Sequence, residues 1–137
     1  MAWNYAMGYH FTPLVNGQIT HLGGYFNGTK VVKLFNKATG AQLASVTVTS
    51  ANGWSYSAIS PVVNVSAGTT YTVAVYLAGS GGSYRSPLSS TLPRTFGNIR
   101  IKGSTYTDTS SNSNARPTDT VTSVMYGQAD IGFVPKQ

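Results

Sequence analysis

The chain has 137 residues and a formal net charge of +6, yet only 9% of its residues are charged and it contains no cysteine or glutamate. It has two histidines and three aspartates, Asp108, Asp119 and Asp130. Acid–base, covalent and metal-dependent catalysis all draw on these scarce residue types. The composition therefore argues against an enzyme and predicts a binding module. It also excludes disulfides. The sequence has no run of 18 apolar residues, which is the length that a membrane-spanning helix needs.

Length and apolar content predict one globular domain over residues 1–137, because 41% hydrophobic residues can supply a core for a chain of this size. The first residues lack the basic and apolar regions of a signal peptide. The basic balance favours anionic partners, or it marks a solvated surface that lacks acids. Because the basic residues are scattered singly, we expect no nucleic-acid binding.

Short β-rich runs follow one another along the whole chain, and turn signals separate them. In chain order, strands are predicted over residues 8–12, 18–26, 29–36, 42–49, 54–59, 62–65, 69–77, 98–102 and 129–134. Three Asn-Gly pairs predict hairpin turns, because this dipeptide tolerates the positive φ angles of type I′ turns. They are Asn16-Gly17, Asn27-Gly28 and Asn52-Gly53.

Period-two alternation indicates which strand faces are buried. Ala44, Val46 and Val48 share one face of their strand, with Ser and Thr on the other. Many short antiparallel strands predict an all-β fold, either a sandwich or a barrel. We favour an antiparallel β-sandwich, jelly-roll or immunoglobulin-like, because the final strand is long enough to pair beside an early one. Residues 105–120 interrupt the pattern and predict a long polar loop, either functional or a plain surface connection.

Several stretches together resemble a known family. Gly8-Tyr9-His10-Phe11-Thr12 and Ile19-Thr20-His21-Leu22-Gly23 are similar to its opening, and Val32-Lys33-Leu34-Phe35 with 39–44 to its central hairpin. Ala67-Gly68-Thr69-Thr70-Tyr71 and Ala129-Asp130-Ile131-Gly132-Phe133 complete the pattern. The family is the bacterial surface domain known as domain of unknown function 4082. The resemblance implies a β-sandwich carried in extracellular multidomain proteins and supplies no established activity. In composition, the chain is also similar to the tips of trimeric adhesive fibres, including those of predatory bacteria.

Few residues are candidates for chemistry. Each histidine is flanked by apolar residues and has no nearby carboxylate or thiol, so a packed or surface role is expected for His10 and His21 rather than metal binding. Asp108 and Asp119 bracket the polar loop and, if they meet, could serve glycoside hydrolysis, so a hydrolase is a third possible function class. Neither aspartate has an apolar setting that would raise its pKa. Asp130 is expected to be structural. We predict no metal and no cofactor.

Aromatic and polar residues in the loops form the predicted binding site. Aromatic rings stack on the apolar faces of sugars, while neighbouring Asn, Arg and Asp side chains bond to the hydroxyl groups. If these loops gather at one end of the sandwich, the ligand-binding residues are Tyr84, Arg85, Arg94, Tyr106, Asp108, Asn112, Asn114 and Arg116.

The sequence thus predicts a non-catalytic extracellular or cell-surface module that recognises a glycan, as an adhesin or fibre-tip domain. The expected partners are a glycan or an acidic polysaccharide such as lipopolysaccharide, together with further copies of the chain in a homo-oligomer, with a trimer favoured. The alternative is a structural or oligomerisation domain of a surface fibre with no ligand of its own.

Overall fold

Seven antiparallel strands make up most of the computed structural model, which describes residues 5–76, 94–96, 99–108 and 129–135. No helix occurs within these ranges, which confirms the predicted all-β class. The strands are β1 Tyr5–Pro13, β2 Gly17–Asn36, β3 Gln42–Val65, β4 Tyr71–Tyr76, β5 Arg94–Phe96, β6 Ile99–Asp108 and β7 Ala129–Pro135. In the described part of the chain, no helix has the length and apolarity needed to cross a membrane.

The two long strands β2 and β3 form one bent hairpin that runs through both layers of the sandwich. Residues 17–24 of β2 pair with β7 and with the end of β3, whereas residues 31–36 pair with β4 and with the start of β3. The first set of pairings, with β7 and the end of β3, forms what we call the short layer. The second set belongs to what we call the long layer, which continues through β4, β1 and β6 to β5. The pairing of β7 with β2 confirms the expectation that the final strand returns beside an early one.

The bend lies where an Asn-Gly pair of β2 and one of β3 come next to each other in the register, so the hairpin turns predicted at these two positions are wrong. The register shifts between Phe26 and Asn27, and Gly28 adopts φ +109°. An extra residue in one strand of an antiparallel pair bends the strand and increases its twist. Asn27-Gly28 and Asn52-Gly53 therefore act at an irregular bend inside continuous strands. The hairpin predicted across residues 37–40 is confirmed, with the Gly40 amide donating to the Asn36 carbonyl at 2.8 Å.

The core lies between the layers, and both layers supply it. Phe11, Leu34 and Val73 come from the long layer, and Ile19 and Leu22 from the short layer; all five are fully buried. Full burial of an aliphatic side chain contributes about 1.5–3 kcal/mol each. The alternation predicted for the first half of β3 is confirmed, because Val48 is buried while the Ser and Thr residues between the apolar positions are exposed.

Tyr71 closes one end of this core. Its ring is buried beside Phe11, with the centroids 5.7 Å apart, and its hydroxyl accepts the Ser66 amide at 3.0 Å. A buried hydroxyl must find a partner, and here it satisfies an amide of the preceding turn.

Several strand boundaries differ from the sequence expectation. Residues 105–108 belong to β6, where Thr105 pairs with Gly8, so the predicted polar loop begins later than residue 105. Residues 109–120 lie outside the described residues. The strands predicted at 54–59 and 62–65 are one strand, because the irregularity near Pro61 is absorbed within the pairing of β2 and β3.

Candidate functional site

An aromatic ring lies on the outward face of the short layer. Tyr56 of β3 pairs with Gly23 of β2, and its side chain is 44% exposed. A Cβ atom on Gly23 would lie 2.5 Å from Cδ2 of Tyr56, so the ring occupies the space that a side chain on β2 would need. The ring therefore lies against the backbone of β2, while much of the side chain remains accessible to solvent.

Asp130 of β7 fixes this ring. It pairs with Gly23 from the other side of β2, and its carboxylate accepts the Tyr56 hydroxyl at 2.5 Å. Its second oxygen accepts the hydroxyl of the buried Tyr9 at 2.8 Å. The carboxylate thus ties an exposed ring on the short layer to a core residue of β1. This confirms the structural role expected for Asp130 and adds a positioning role.

Both tyrosine hydroxyls are held in the protonated, donating state. Burial is the largest cause that raises the pKa of Tyr9 well above 10, followed by the negative charge of Asp130 and the hydrogen bond to it, while a backbone hydrogen bond from Ile131 acts in the opposite direction. Burial and the hydrogen bond to Asp130 also raise the pKa of Tyr56 well above its usual value. A phenol in this state donates to the carboxylate at neutral pH.

A second ring leans over a second glycine on the same face. His21 is exposed and pairs with Gly132 of β7. A Cβ on Gly132 would lie 3.4 Å from Nδ1 of His21, and the same nitrogen is 2.9 Å from Oγ1 of Thr20. Gly132 and Gly23 lie on neighbouring strands and are offset by two residues along the strand direction. The two ring positions are therefore about 8 Å apart.

Two amide side chains extend the same face. Gln18 donates to Asn64 at 3.1 Å, and both residues are exposed. We call this set the outer strip. It comprises Tyr56, Asp130, His21, Gln18 and Asn64. The strip runs for about 15 Å along β2. It offers ring faces, a carboxylate and amides, the groups that stack on and hydrogen-bond to a hydroxyl-rich ligand.

In the described part of the chain, no group of three or more His, Cys, Asp or Glu side chains is placed to hold a metal ion. His10 is buried on β1 and lies 2.7 Å, through Nδ1, from Oγ1 of Thr72, whereas His21 is on the surface. The packed and surface positions expected for the two histidines are thus confirmed.

The predicted loop site falls largely outside the described residues. Five of its eight members lie outside them: Tyr84, Arg85, Asn112, Asn114 and Arg116. The backbones of the other three are described: Arg94 lies in β5, and Tyr106 and Asp108 lie in β6.

The pairing of β5 with β6 sets the spacing of these three positions. Arg94 pairs with Ile101, five residues before Tyr106, which places their backbones about 16 Å apart along β6. Tyr106 and Asp108 are two residues apart on the same strand. A shared binding surface for all eight residues remains a prediction.

Sequence reasoning missed the outer strip because its members come from three distant segments. The strip depends on which residues face each other across β3, β2 and β7, and the chain order does not reveal this register. The sequence offers one local signal. On each of two strands a glycine lies two residues after a polar side chain, Gly23 after His21 and Gly132 after Asp130. A glycine within a strand often marks a close approach by another group.

The sequence profile of a family described as a domain of unknown function, DUF4082, matches residues 2–127. No curated protein and no solved structure matches the chain.

Proposed function

The chain belongs to the DUF4082 family, and we propose that it is a non-catalytic binding module that recognises a glycan through the outer strip. The observation that carries the proposal is the Tyr56 ring, which lies over Gly23 with its hydroxyl bonded to Asp130. A ring already held in place loses little conformational freedom when a sugar stacks on it, so more of the stacking energy becomes affinity.

The polar members of the outer strip suit the hydroxyl groups of a sugar. The carboxylate of Asp130 can accept further hydrogen bonds, and the amides of Gln18 and Asn64 both donate and accept. His21 presents a second ring edge about 8 Å from the first ring position. An extended oligosaccharide lying along β2 would contact all these groups in turn.

The biological setting belongs to the same proposal. An extracellular or cell-surface module in an adhesin or fibre tip presents several copies of one weak site, and repetition raises the overall affinity by about 10² to 10⁴. A homo-oligomer would supply that repetition, and a trimer is the form expected from the sequence. The eight loop residues predicted above form a second candidate surface, and their arginines suit acidic or phosphorylated glycans such as lipopolysaccharide.

A glycan array followed by calorimetry tests the proposal. We expect the wild type to bind at least one glycan, and Tyr56→Ala to weaken that binding about tenfold or more, because the stacking face and its pinned hydroxyl are both removed. Leu43→Ala is the matched control, since it removes a similarly exposed side chain from the same strand in the other layer. Tyr106→Ala and Arg116→Ala test the loop surface.

Each outcome assigns the site. Loss with Tyr56→Ala alone supports the outer strip, and loss with Tyr106→Ala or Arg116→Ala alone transfers the site to the loops. A wild-type protein that binds no glycan on the array rejects the proposal. The alternative, a structural or oligomerisation domain, would then be favoured, because β3 contains no charged residue that would oppose pairing along the edge away from β2. Light scattering coupled to size-exclusion chromatography would test that alternative.

A further inference from the structure

The outer edge of β3 is long and uncharged. β3 pairs with β2 along one edge, and it stands at the end of the strand order among the described residues, so none of the described strands pairs with its other edge. Its 24 residues include no Lys, Arg, His, Asp or Glu. Such an edge presents backbone amides and carbonyls that can pair with another strand.

The features of β3 that discourage such pairing lie on either side of residues 44–50. Natural edge strands are protected by charged residues, prolines or bulges. Pro61 and two of the register irregularities lie beyond residue 50, and the third lies between Gln42 and Ala44. Residues 44–50, which we call the edge segment, pair with β2 without interruption and contain only Ala, Ser, Val and Thr. This sequence has high β-propensity and no protective residue.

A second copy of this chain is the partner that fits the edge segment. Two molecules that each carry a net charge of +6 repel one another, and a stretch without charges allows close approach. The sequence of the segment also suits two-fold antiparallel pairing, in which each copy presents the same patch to the other. With the axis at the central residue Thr47, Ser45 faces the partner's Thr49 and Val46 faces the partner's Val48. Hydroxyl and β-branched pairs of this kind stabilise antiparallel strands.

The side chains and the carbonyl at the edge are compatible with this arrangement. Ser45, Thr47 and Thr49 are exposed, so a second strand meets them without rearranging the core. The Thr47 carbonyl accepts the Ser57 hydroxyl at 3.0 Å. Because a carbonyl oxygen has two acceptor positions, one remains for an amide of the second copy.

We propose that the edge segment pairs antiparallel with the same segment of a second copy, which joins the two long layers into one continuous sheet. The interface is a single strand pair, so the dimer is weak and dissociates on dilution. A two-fold contact uses the same edge of both copies, so the assembly stops at a dimer. This differs from the trimer expected from the sequence. The inference does not depend on glycan binding.

Sedimentation velocity over a hundredfold range of concentration, up to about 1 mM, tests the proposal. We expect a monomer–dimer equilibrium in the wild type. Thr47→Lys should weaken dimerisation about tenfold or more, because it places two lysines directly opposite each other across the axis. Ala67→Lys adds the same charge at an exposed turn and should leave the equilibrium unchanged. Circular dichroism verifies that both variants are folded.

A second measurement does not rely on a variant. In hydrogen exchange, the amides of the edge segment should become more protected as the concentration rises, whereas those of the turn at residues 37–40 should not. A wild type that stays monomeric throughout overturns the inference, as does a trimer. A dimer that Thr47→Lys leaves intact, or protection confined to other strands, also overturns it.

Discussion

The buried hydrogen bond from Tyr9 to Asp130 can be tested by replacing Tyr9 with phenylalanine. The quantity to measure is the free energy of unfolding at alkaline pH. In an unfolded chain, a tyrosine loses its proton near pH 10. In the folded protein, burial and the neighbouring Asp130 keep the pKa of Tyr9 well above 10. The stabilisation that this difference provides is fully present below pH 10, and it is lost as the pH rises toward the higher folded pKa.

The expected magnitude follows from proton linkage. Above pH 10 the folded state holds one more proton at Tyr9 than the unfolded state, so the free energy of unfolding falls by about 1.4 kcal/mol per pH unit. Tyr56 contributes in the same direction, but its side chain is 44% exposed and solvent screening reduces its effect. Tyr9→Phe removes the larger contribution. It also lowers stability at pH 8 by about 1–3 kcal/mol, because Asp130 and the Ile131 amide lose a buried partner.

Urea denaturation at intervals from pH 8 to about 11, followed by tryptophan fluorescence, measures both effects. Groups that titrate alike in the two proteins cancel when the wild-type and Tyr9→Phe curves are subtracted, so the difference reports Tyr9 together with any change that its loss causes at Tyr56. We expect the variant to be less stable at pH 8 and the gap to narrow above pH 10. Parallel curves across the whole range would refute the reasoning.

Three further substitutions test the site and the core, each by its free energy of unfolding. Gly23→Ala should cost about 1–3 kcal/mol, because the new Cβ would clash with the Ser55 carbonyl oxygen and would lie 2.5 Å from the Tyr56 ring. It should also weaken glycan binding, and unchanged stability and affinity would contradict the close packing. Tyr71→Phe should cost about 1–3 kcal/mol because the Ser66 amide loses its acceptor, and a neutral result would mean that water replaces the hydroxyl. Leu34→Ala should cost about 2–5 kcal/mol, since the side chain is fully buried, and a loss below 1 kcal/mol would contradict its place in the core.

Much of the fold follows from local patterns in the sequence. Alternation in residues 44–48 predicts the buried face of β3, and the residues of the 37–40 turn predict its hairpin. The errors arise where one pattern serves two geometries. Asn-Gly tolerates positive φ both in a two-residue turn and at a bulge, and only the strand pairing shows that Gly28 lies in a bend.

The candidate site could not be predicted in the same way. Tyr56 looks like any alternating strand residue, and its significance comes from Gly23 and Asp130, which are remote in sequence but adjacent in the sheet. Composition favours loops as the location of polar and aromatic ligand-binding residues. A site on a sheet face depends instead on register, which requires the three-dimensional pairing of three strands.

Residue-resolved NMR titration with the glycan that binds best on the array tests the central claim most directly. If the outer strip is the binding surface, the amides of Gly23, His21 and Gly132 should shift on addition of the glycan, with smaller changes on the opposite layer. Shifts confined to the loop residues, or no shifts at saturating glycan, would contradict it.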